Sequence, residues 1–349
     1  MRRMFKKGSL LSDSGAMSDQ GRDILRAAAL LREGNLVAIP TETVYGLAAD
    51  IRQEKAIHNI FRVKGRSFQN PLIVHVGSPS SLEDGTWISS FPSPLRKLSD
   101  IFWPGPLTLL LPKTAQVPRV VCAGLPRVAV RVPSHPRTQA LLSELSSPLV
   151  APSANLSGHL SPTLAEHIHP SLREKISYVL EGGKAEKGLE STVVGMLGDK
   201  VCIYRLGSLT SEELEEVLGY SVELADSVHL ASPGGMAHHY APLGKSLVLG
   251  SIPSLLSRYP IERSVVISFQ ELYTDIPADR CFVLSPRGDL EEASQKWFEV
   301  LHRIEQMSAD WILVDLFPEV ALGRTLNDRI RRALRRETRF PQRLSQDLC

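Results

Sequence analysis

The stretch from Asn35 to Val76 constrains this chain most. An apolar run, Leu36-Val37-Ala38-Ile39, reads as a buried strand and breaks at Pro40-Thr41-Glu42-Thr43-Val44-Tyr45-Gly46. A helix is predicted from Glu54 to Val63. A cationic loop follows at Lys64-Gly65-Arg66, and Pro71-Leu72-Ile73-Val74-His75-Val76 reads as a second strand. Polar groups at the end of a buried strand usually face a cleft, because the strand fixes them and the core cannot absorb them. Lys and Arg flanking one Gly can wrap a polyanion, Lys as a mobile point charge and Arg as a bidentate fork. The stretch therefore suggests a small hydroxylated substrate beside a phosphate-bearing one.

A chain of 349 residues exceeds most single cores, so two domains are expected. With 43% hydrophobic and 22% charged residues the composition is that of a soluble protein. No apolar run approaches the roughly 18 residues of a membrane span, so no membrane association is expected. The net charge of +2 neither demands nor excludes nucleic acid. Cys122, Cys202, Cys281 and Cys349 lie far apart and form no CxxC pair, which suggests neither a zinc site nor a disulfide framework. A cytoplasmic location, in a reducing compartment, fits best. Residues 1–18 carry Arg2, Arg3, Lys6 and Lys7 without the apolar region of a signal peptide. They read as a disordered lead, with Met17 as an alternative start.

From residue 19 to 208 the pattern is mixed α/β. A helix is predicted over Gly21–Arg32, with Ile24, Leu25, Ala28 and Leu31 on one face and Gly34 as its C-cap. Leu95, Leu98, Ile101 and Phe102 suggest a second amphipathic helix, ended by Trp103-Pro104-Gly105-Pro106. Strands are predicted at Leu107–Leu111 and Val128–Val132, and a helix at Pro136–Leu145. Leu149-Val150-Ala151 is a strand opening into Pro152-Ser153-Ala154-Asn155, and Ser161-Pro162-Thr163 has the form of a helix start. Strands at Tyr178–Leu180, Thr192–Met196 and Val201–Tyr204 follow, with turns at Gly182-Gly183 and Gly198-Asp199 read as hairpins. Residues 209–244 read as a linker that opens with a capped helix from Thr210 to Leu218. Residues 245–349 then alternate strand and helix, which predicts a smaller Rossmann-like α/β domain with a largely parallel sheet. Its strands are Leu247–Leu249, Val265–Ser268, Cys281–Leu284 and Trp311–Val314, with helices from Leu290 to Met307 and from Leu322 to Arg336.

The residue types alone leave alternatives open. Lys64 and Arg66 suit a solvated helix end as well as a phosphate. Ser153 and Asn155 suit a turn. Arg131, inside an apolar strand, must be ion-paired or anion-bound, and His75 alone reads as a structural histidine. His238 and His239 are adjacent and share no face, so no metal site is assigned. Arg324 to Arg343 is the best candidate for weak RNA contact, against a plain solvated basic face.

Pro40 to Gly46, Lys64-Gly65-Arg66 and Asn70-Pro71-Leu72, in that order and spacing, resemble the signature of the YrdC-type threonylcarbamoyl-AMP synthases. Ser232 to Pro242 resembles the linker of the family's long form, with a doubled glycine and a doubled histidine as departures. Ala321 to Ala333 resembles the closing motif of its second domain. The resemblance spans about residues 20–340. It implies a YrdC-like domain, a linker that lies over the active site as a lid, and a smaller second domain. It implies the condensation of L-threonine, bicarbonate and ATP to threonylcarbamoyl-AMP and pyrophosphate, with Mg2+ accompanying ATP. The product would serve threonylcarbamoyladenosine formation in tRNA through a separate tRNA threonylcarbamoyltransferase. The matching nucleotide residues are Lys64, Arg66, Asn70, Ser153, Asn155, Ser161, Arg205 and Tyr240, with Lys64 and Arg66 also carrying catalysis. The matching threonine residues are Thr41, Thr43, His75, Arg131 and Ser191. Two other readings are another carbamoyl-adenylate-forming enzyme and a structured-RNA-binding protein.

Overall fold

The computed structural model describes residues 19–225 and 240–334. The first unit begins with β1 (Asp19–Gly21), α1 (Ile24–Arg32), β2 (Val37–Ile39), β3 (Gly46–Asp50), α2 (Glu54–Lys64) and β4 (Ile73–His75). It continues with α3 (Ser93–Phe102), β5 (Leu107–Pro112), β6 (Arg127–Arg131), α4 (Pro136–Ser143), β7 (Leu149–Val150), α5 (Pro170–Arg173) and β8 (Tyr178–Leu180). It closes with β9 (Thr192–Leu197), β10 (Lys200–Arg205), α6 (Ser211–Leu218) and β11 (Glu223–Leu224). These strands form one mixed sheet in the order β1-β8-β2-β3-β7-β4-β6-β5-β9-β10-β11.

Alternation along the strands explains why both faces are covered. In β2, Ala38 joins the main core with Ile57, Ile60, Phe61, Leu95, Leu98 and Leu214 from α2, α3 and α6. Its neighbours Val37 and Ile39 point the other way, onto Ala27, Ala28 and Leu31 of α1 and Leu141 and Leu142 of α4. In β4 the same alternation sends Val74 into the main core and Ile73 and His75 into a cleft on the opposite face.

The second unit comprises β12 (Ser246–Leu249), α7 (Ile252–Leu256), β13 (Ser264–Ser268), β14 (Cys281–Val283), α8 (Leu290–Glu305), β15 (Trp311–Val314) and α9 (Ala321–Leu334). Its sheet is parallel throughout, in the order β12-β15-β13-β14. The core of this unit, centred on Trp297, Phe298 and Leu301, also takes in Leu160 and Leu189 of the first unit. The two units thus share buried apolar surface.

Several expectations change. Leu25 and Ile101 are exposed, and α1 presents Ala27, Ala28 and Leu31 to the core instead. No helix starts at Ser161-Pro162-Thr163, because tertiary bonds take those groups. The Pro162 carbonyl accepts from the Tyr45 amide at 2.8 Å, and the Thr163 carbonyl accepts from the Ala185 amide at 2.8 Å. Gly198-Asp199 does join the antiparallel pair β9–β10. Gly182-Gly183 closes no hairpin, since β8 pairs in parallel with β1 and β2. Those two glycines instead hold the Tyr45 hydroxyl, which donates to the Gly183 carbonyl and accepts from the Gly182 amide. Residues 209–225 carry the expected capped helix and an additional strand. The Thr210–Glu213 capping box starts α6, and β11 extends the first sheet beside β10. The 1–18 lead, most of the lid segment and the end of the Arg-rich stretch lie outside the described residues.

Candidate active site

The cleft opens to solvent on the part of the sheet face that α1 and α4 leave uncovered. Three loops meet there: Thr41–Gly46 between β2 and β3, the turn after α2, and the Pro152-Ser153 turn after β7. The turn after α2 depends on Gly65, whose φ of 62° caps the helix in the left-handed region. That turn separates the two flanking cations. The Arg66 guanidinium lines the cleft, where it donates to the Asn70 carbonyl at 3.1 Å, to Asn70 Oδ1 at 2.6 Å and to the Pro71 carbonyl at 2.7 Å.

Lys64 turns the other way. Its buried ammonium donates to the Ser153 carbonyl at 2.5 Å, to the Asn155 carbonyl, and to Asn155 Oδ1 at 3.3 Å. Asn155 in turn accepts from Ser153 Oγ at 2.5 Å and donates to the His159 carbonyl at 2.7 Å. Lys64 therefore stands behind the wall and fixes the turn that presents Ser153. Burial, reinforced by the Arg66 charge, pushes its ammonium well below the usual lysine range.

The other end of the cleft is built around Arg131. Its Nη1 donates to Thr43 Oγ1 at 2.8 Å and its Nε to the Gly105 carbonyl at 3.2 Å. Its Nη2 lies 2.7 Å from Glu42 Oε1, an ion-pair distance without hydrogen-bond alignment. Of the two alternatives for this strand Arg, the ion pair is the one present, and the residue also lines the cleft. Thr41 Oγ1 sits 2.8 Å from Thr43 Oγ1 and donates to the Val44 carbonyl at 2.6 Å. His75 is buried, with Nδ1 3.2 Å from the Ile73 carbonyl. Burial, with the Arg131 charge added, pushes its pKa down to about 3, so the ring is neutral near pH 7.

Arg205, at the end of β10, donates to the Ser191 carbonyl at 2.6 Å and to Ser191 Oγ at 3.0 Å. Ser191 Oγ also meets Thr108 Oγ1 at 2.7 Å. Burial pushes Arg205 down, and burial together with the Arg205 charge brings Arg66 to about 9.

Of the sequence-predicted residues, Thr41, Thr43, Arg66, His75, Arg131, Ser153, Ser191, Arg205 and Tyr240 line this one cleft. Lys64, Asn70, Asn155 and Ser161 form the layer behind it. Three residues escaped the sequence reading of the site. Glu42 pairs Arg131. Glu190 lines the cleft and accepts from Ser161 Oγ at 2.6 Å, and Arg329 reaches Glu190 from α9 at 2.9 Å. Glu42 sat inside the quoted Pro40–Gly46 motif and Glu190 beside Ser191, but nothing local marks the partner of either.

Comparison with known proteins identifies the family and the fold. The Sua5/YciO/YrdC family model, described as telomere recombination, matches residues 29–207. A second, the threonylcarbamoyl-AMP synthase C-terminal domain, matches residues 209–334. The fold is that of this nucleotidyltransferase class. The threonylcarbamoyl-AMP synthase of Pyrococcus abyssi is 38% identical over 321 residues, covering 88% of this chain and 92% of the relative. That of Bacillus subtilis is 37% identical over 329 residues, covering 91% and 94%. The crystal structure of P. abyssi Sua5 complexed with L-threonine superposes with a TM-score of 0.82 at 35% identity, covering 91% of this chain and 97% of that one. The chain belongs to the threonylcarbamoyl-AMP synthase family, in the form that carries the C-terminal domain.

Proposed function

We propose that the cleft condenses L-threonine, bicarbonate and ATP to threonylcarbamoyl-AMP and pyrophosphate. The observation that carries this is the convergence of Arg66, Arg131 and Arg205 on one cleft lined with the hydroxyls of Thr41, Thr43, Ser153 and Ser191. The likeness to a structure holding L-threonine supports the amino-acid end.

In this reading Arg131 receives the threonine carboxylate, beside Thr43 and the neutral His75 ring. The threonine nitrogen bonds to the carbon of carbon dioxide and gives up a proton, leaving an N-carboxylate; from bicarbonate the same step also breaks a C–OH bond, and that hydroxide leaves with the proton as water. One carboxylate oxygen then bonds to the α-phosphorus, and the bond from that phosphorus to the bridging oxygen breaks, releasing pyrophosphate. Charge develops on the phosphates, where Arg66 and Arg205 supply oriented N–H donors in a largely dry site. Lys64 and Asn155 act by holding Ser153 in place. No protein nucleophile is required.

Magnesium is proposed to arrive with ATP as part of the substrate. Among the described residues no group of three or more His, Cys, Asp or Glu is placed to hold a metal. The cytoplasm remains the proposed compartment, and Cys122, Cys202 and Cys281 are free and buried. Among the described residues no helix is long and apolar enough to cross a membrane. The product is proposed to pass to a tRNA threonylcarbamoyltransferase. The RNA-contact reading of α9 loses support, because Arg324, Arg329, Arg331 and Arg332 each pair with a carboxylate: Glu212, Glu190, Glu319 and Asp328.

The test is pyrophosphate release from ATP by purified protein, with threonine and bicarbonate omitted in turn. Release that needs both is expected. Release without threonine would point to another adenylate-forming reaction, and none from folded protein with magnesium would remove the reading.

A further inference from the structure

Glu190 is a carboxylate in the wall of a cleft built to take an anion, and it is the only one among the described residues that line it. It is 5% exposed, so solvent does little to screen it. Left to itself it would repel a polyphosphate. Arg329, fully buried on α9 of the second domain, meets it with Nε 2.9 Å from Oε2. The same guanidinium donates to the Leu206 carbonyl at 2.8 Å and lies 4.7 Å from the centre of the Tyr240 ring. Its other carboxylate partner, Asp328, is already paired with Arg332 at 2.8 Å, which leaves much of the Arg329 charge to Glu190.

Among the described residues the other ion pairs between the units, Lys184–Glu299, Lys187–Glu291 and Arg324–Glu212, are partly exposed. A buried ion pair is a poor device for stability alone, because desolvation offsets most of its attraction. Its place at the cleft wall calls for another role.

We propose that Arg329 is the positioning residue through which the second domain keeps the cleft electropositive: it neutralises Glu190 and seats Tyr240, so that ATP meets cations only. This rests on the nucleotide reading above. Arg329 touches neither substrate nor reacting atoms; it acts through Glu190 and Tyr240.

The full-length protein is titrated calorimetrically with magnesium-ATP, as wild type, R329M and R329M/E190Q. Gln at 190 keeps an acceptor for Ser161 Oγ while removing the charge. R329M is expected to raise the Kd for ATP at least about tenfold, from one unneutralised buried charge nearby. The double variant is expected to recover most of that loss, which a purely structural loss of domain docking would not do. A wild-type chain that binds no ATP removes the nucleotide reading itself. An unchanged Kd in R329M, or a loss that E190Q leaves in place, removes the Arg329 proposal alone. If R329M does not fold, R329K carries the test. It keeps the charge, so its Kd stays within about threefold of wild type, and a loss of about tenfold or more in folded R329K overturns the proposal.

Discussion

Replacing Arg131 by Met removes a guanidinium that serves two masters, and the structure separates the two effects. Its Nη2 lies 2.7 Å from Glu42 Oε1, with both side chains 4% exposed. Without it, Glu42 is a buried carboxylate with no ion-pair partner among the described residues. Breaking one side of such a pair costs about 3–5 kcal/mol. Unfolding entropy near 2.1 cal/mol/K per residue, over the roughly 200 residues of the first unit, converts that to a fall in Tm of about 7–12 °C. The threonine carboxylate would also lose its charge-assisted hydrogen bonds, each worth roughly 1.5–3 kcal/mol, so the KM for threonine should rise about ten- to a hundredfold. Adding Glu42→Gln removes the orphaned charge and should recover most of the Tm, but it cannot restore the threonine KM. The assay pairs scanning calorimetry with pyrophosphate release at saturating ATP and bicarbonate. A single variant melting within about 2 °C of wild type would refute the stability argument. A double variant whose threonine KM recovers along with its Tm would refute the binding role.

Two further outcomes are expected. Gly207→Ala would put a Cβ 2.4 Å from Ser191 C and Thr192 N, backbone that cannot swing aside. The variant should lose about 1–3 kcal/mol and bind threonine less well as Ser191 shifts, and a wild-type melting curve with wild-type threonine KM would contradict the close approach. Burial holds His75 and His167 at about 3, helped by Arg131 for the first and His302 for the second, against an ordinary 6.5. The unfolded chain takes those protons near 6.5 and the folded chain only near 3. The stability from these groups is therefore full above 6.5 and is lost as pH falls through that window. Urea unfolding at fixed ionic strength should show stability declining from pH 7 to 5, less steeply in His167→Gln; a flat profile in the wild type would overturn this.

Much of the fold could be read locally. The Leu36–Ile39 run, the α2 helix ending at Gly65, and the Thr210–Glu213 capping box all depend on residues within a few positions of one another, and they form as expected. The parallel second sheet follows from strand–helix alternation in the same way. The motifs at Thr41–Gly46, Lys64–Arg66, Ser153–Asn155 and Ser191 also named the segments that build the cleft. β3 was missed because Gly46–Asp50 becomes a strand only by pairing with β2 and β7. The predicted start at Ser161 failed because Glu190, Tyr45 and Ala185 claim its polar groups.

The sequence by itself determined most of the elements, the two-domain order and the set of cations and hydroxyls available to a substrate, since these follow from short-range periodicity, caps and residue type. Only the tertiary structure decided which cation faces the cleft and which stands behind it. Lys64 and Arg66 are two residues apart, yet the left-handed turn at Gly65 sends one ammonium to the carbonyls of the Ser153 turn and the other cation to the cavity. It also decided which carboxylate is neutralised by which arginine. Arg329 and Glu190 meet across 139 residues of chain, and an unpaired charge is too costly to bury for either to stand there alone.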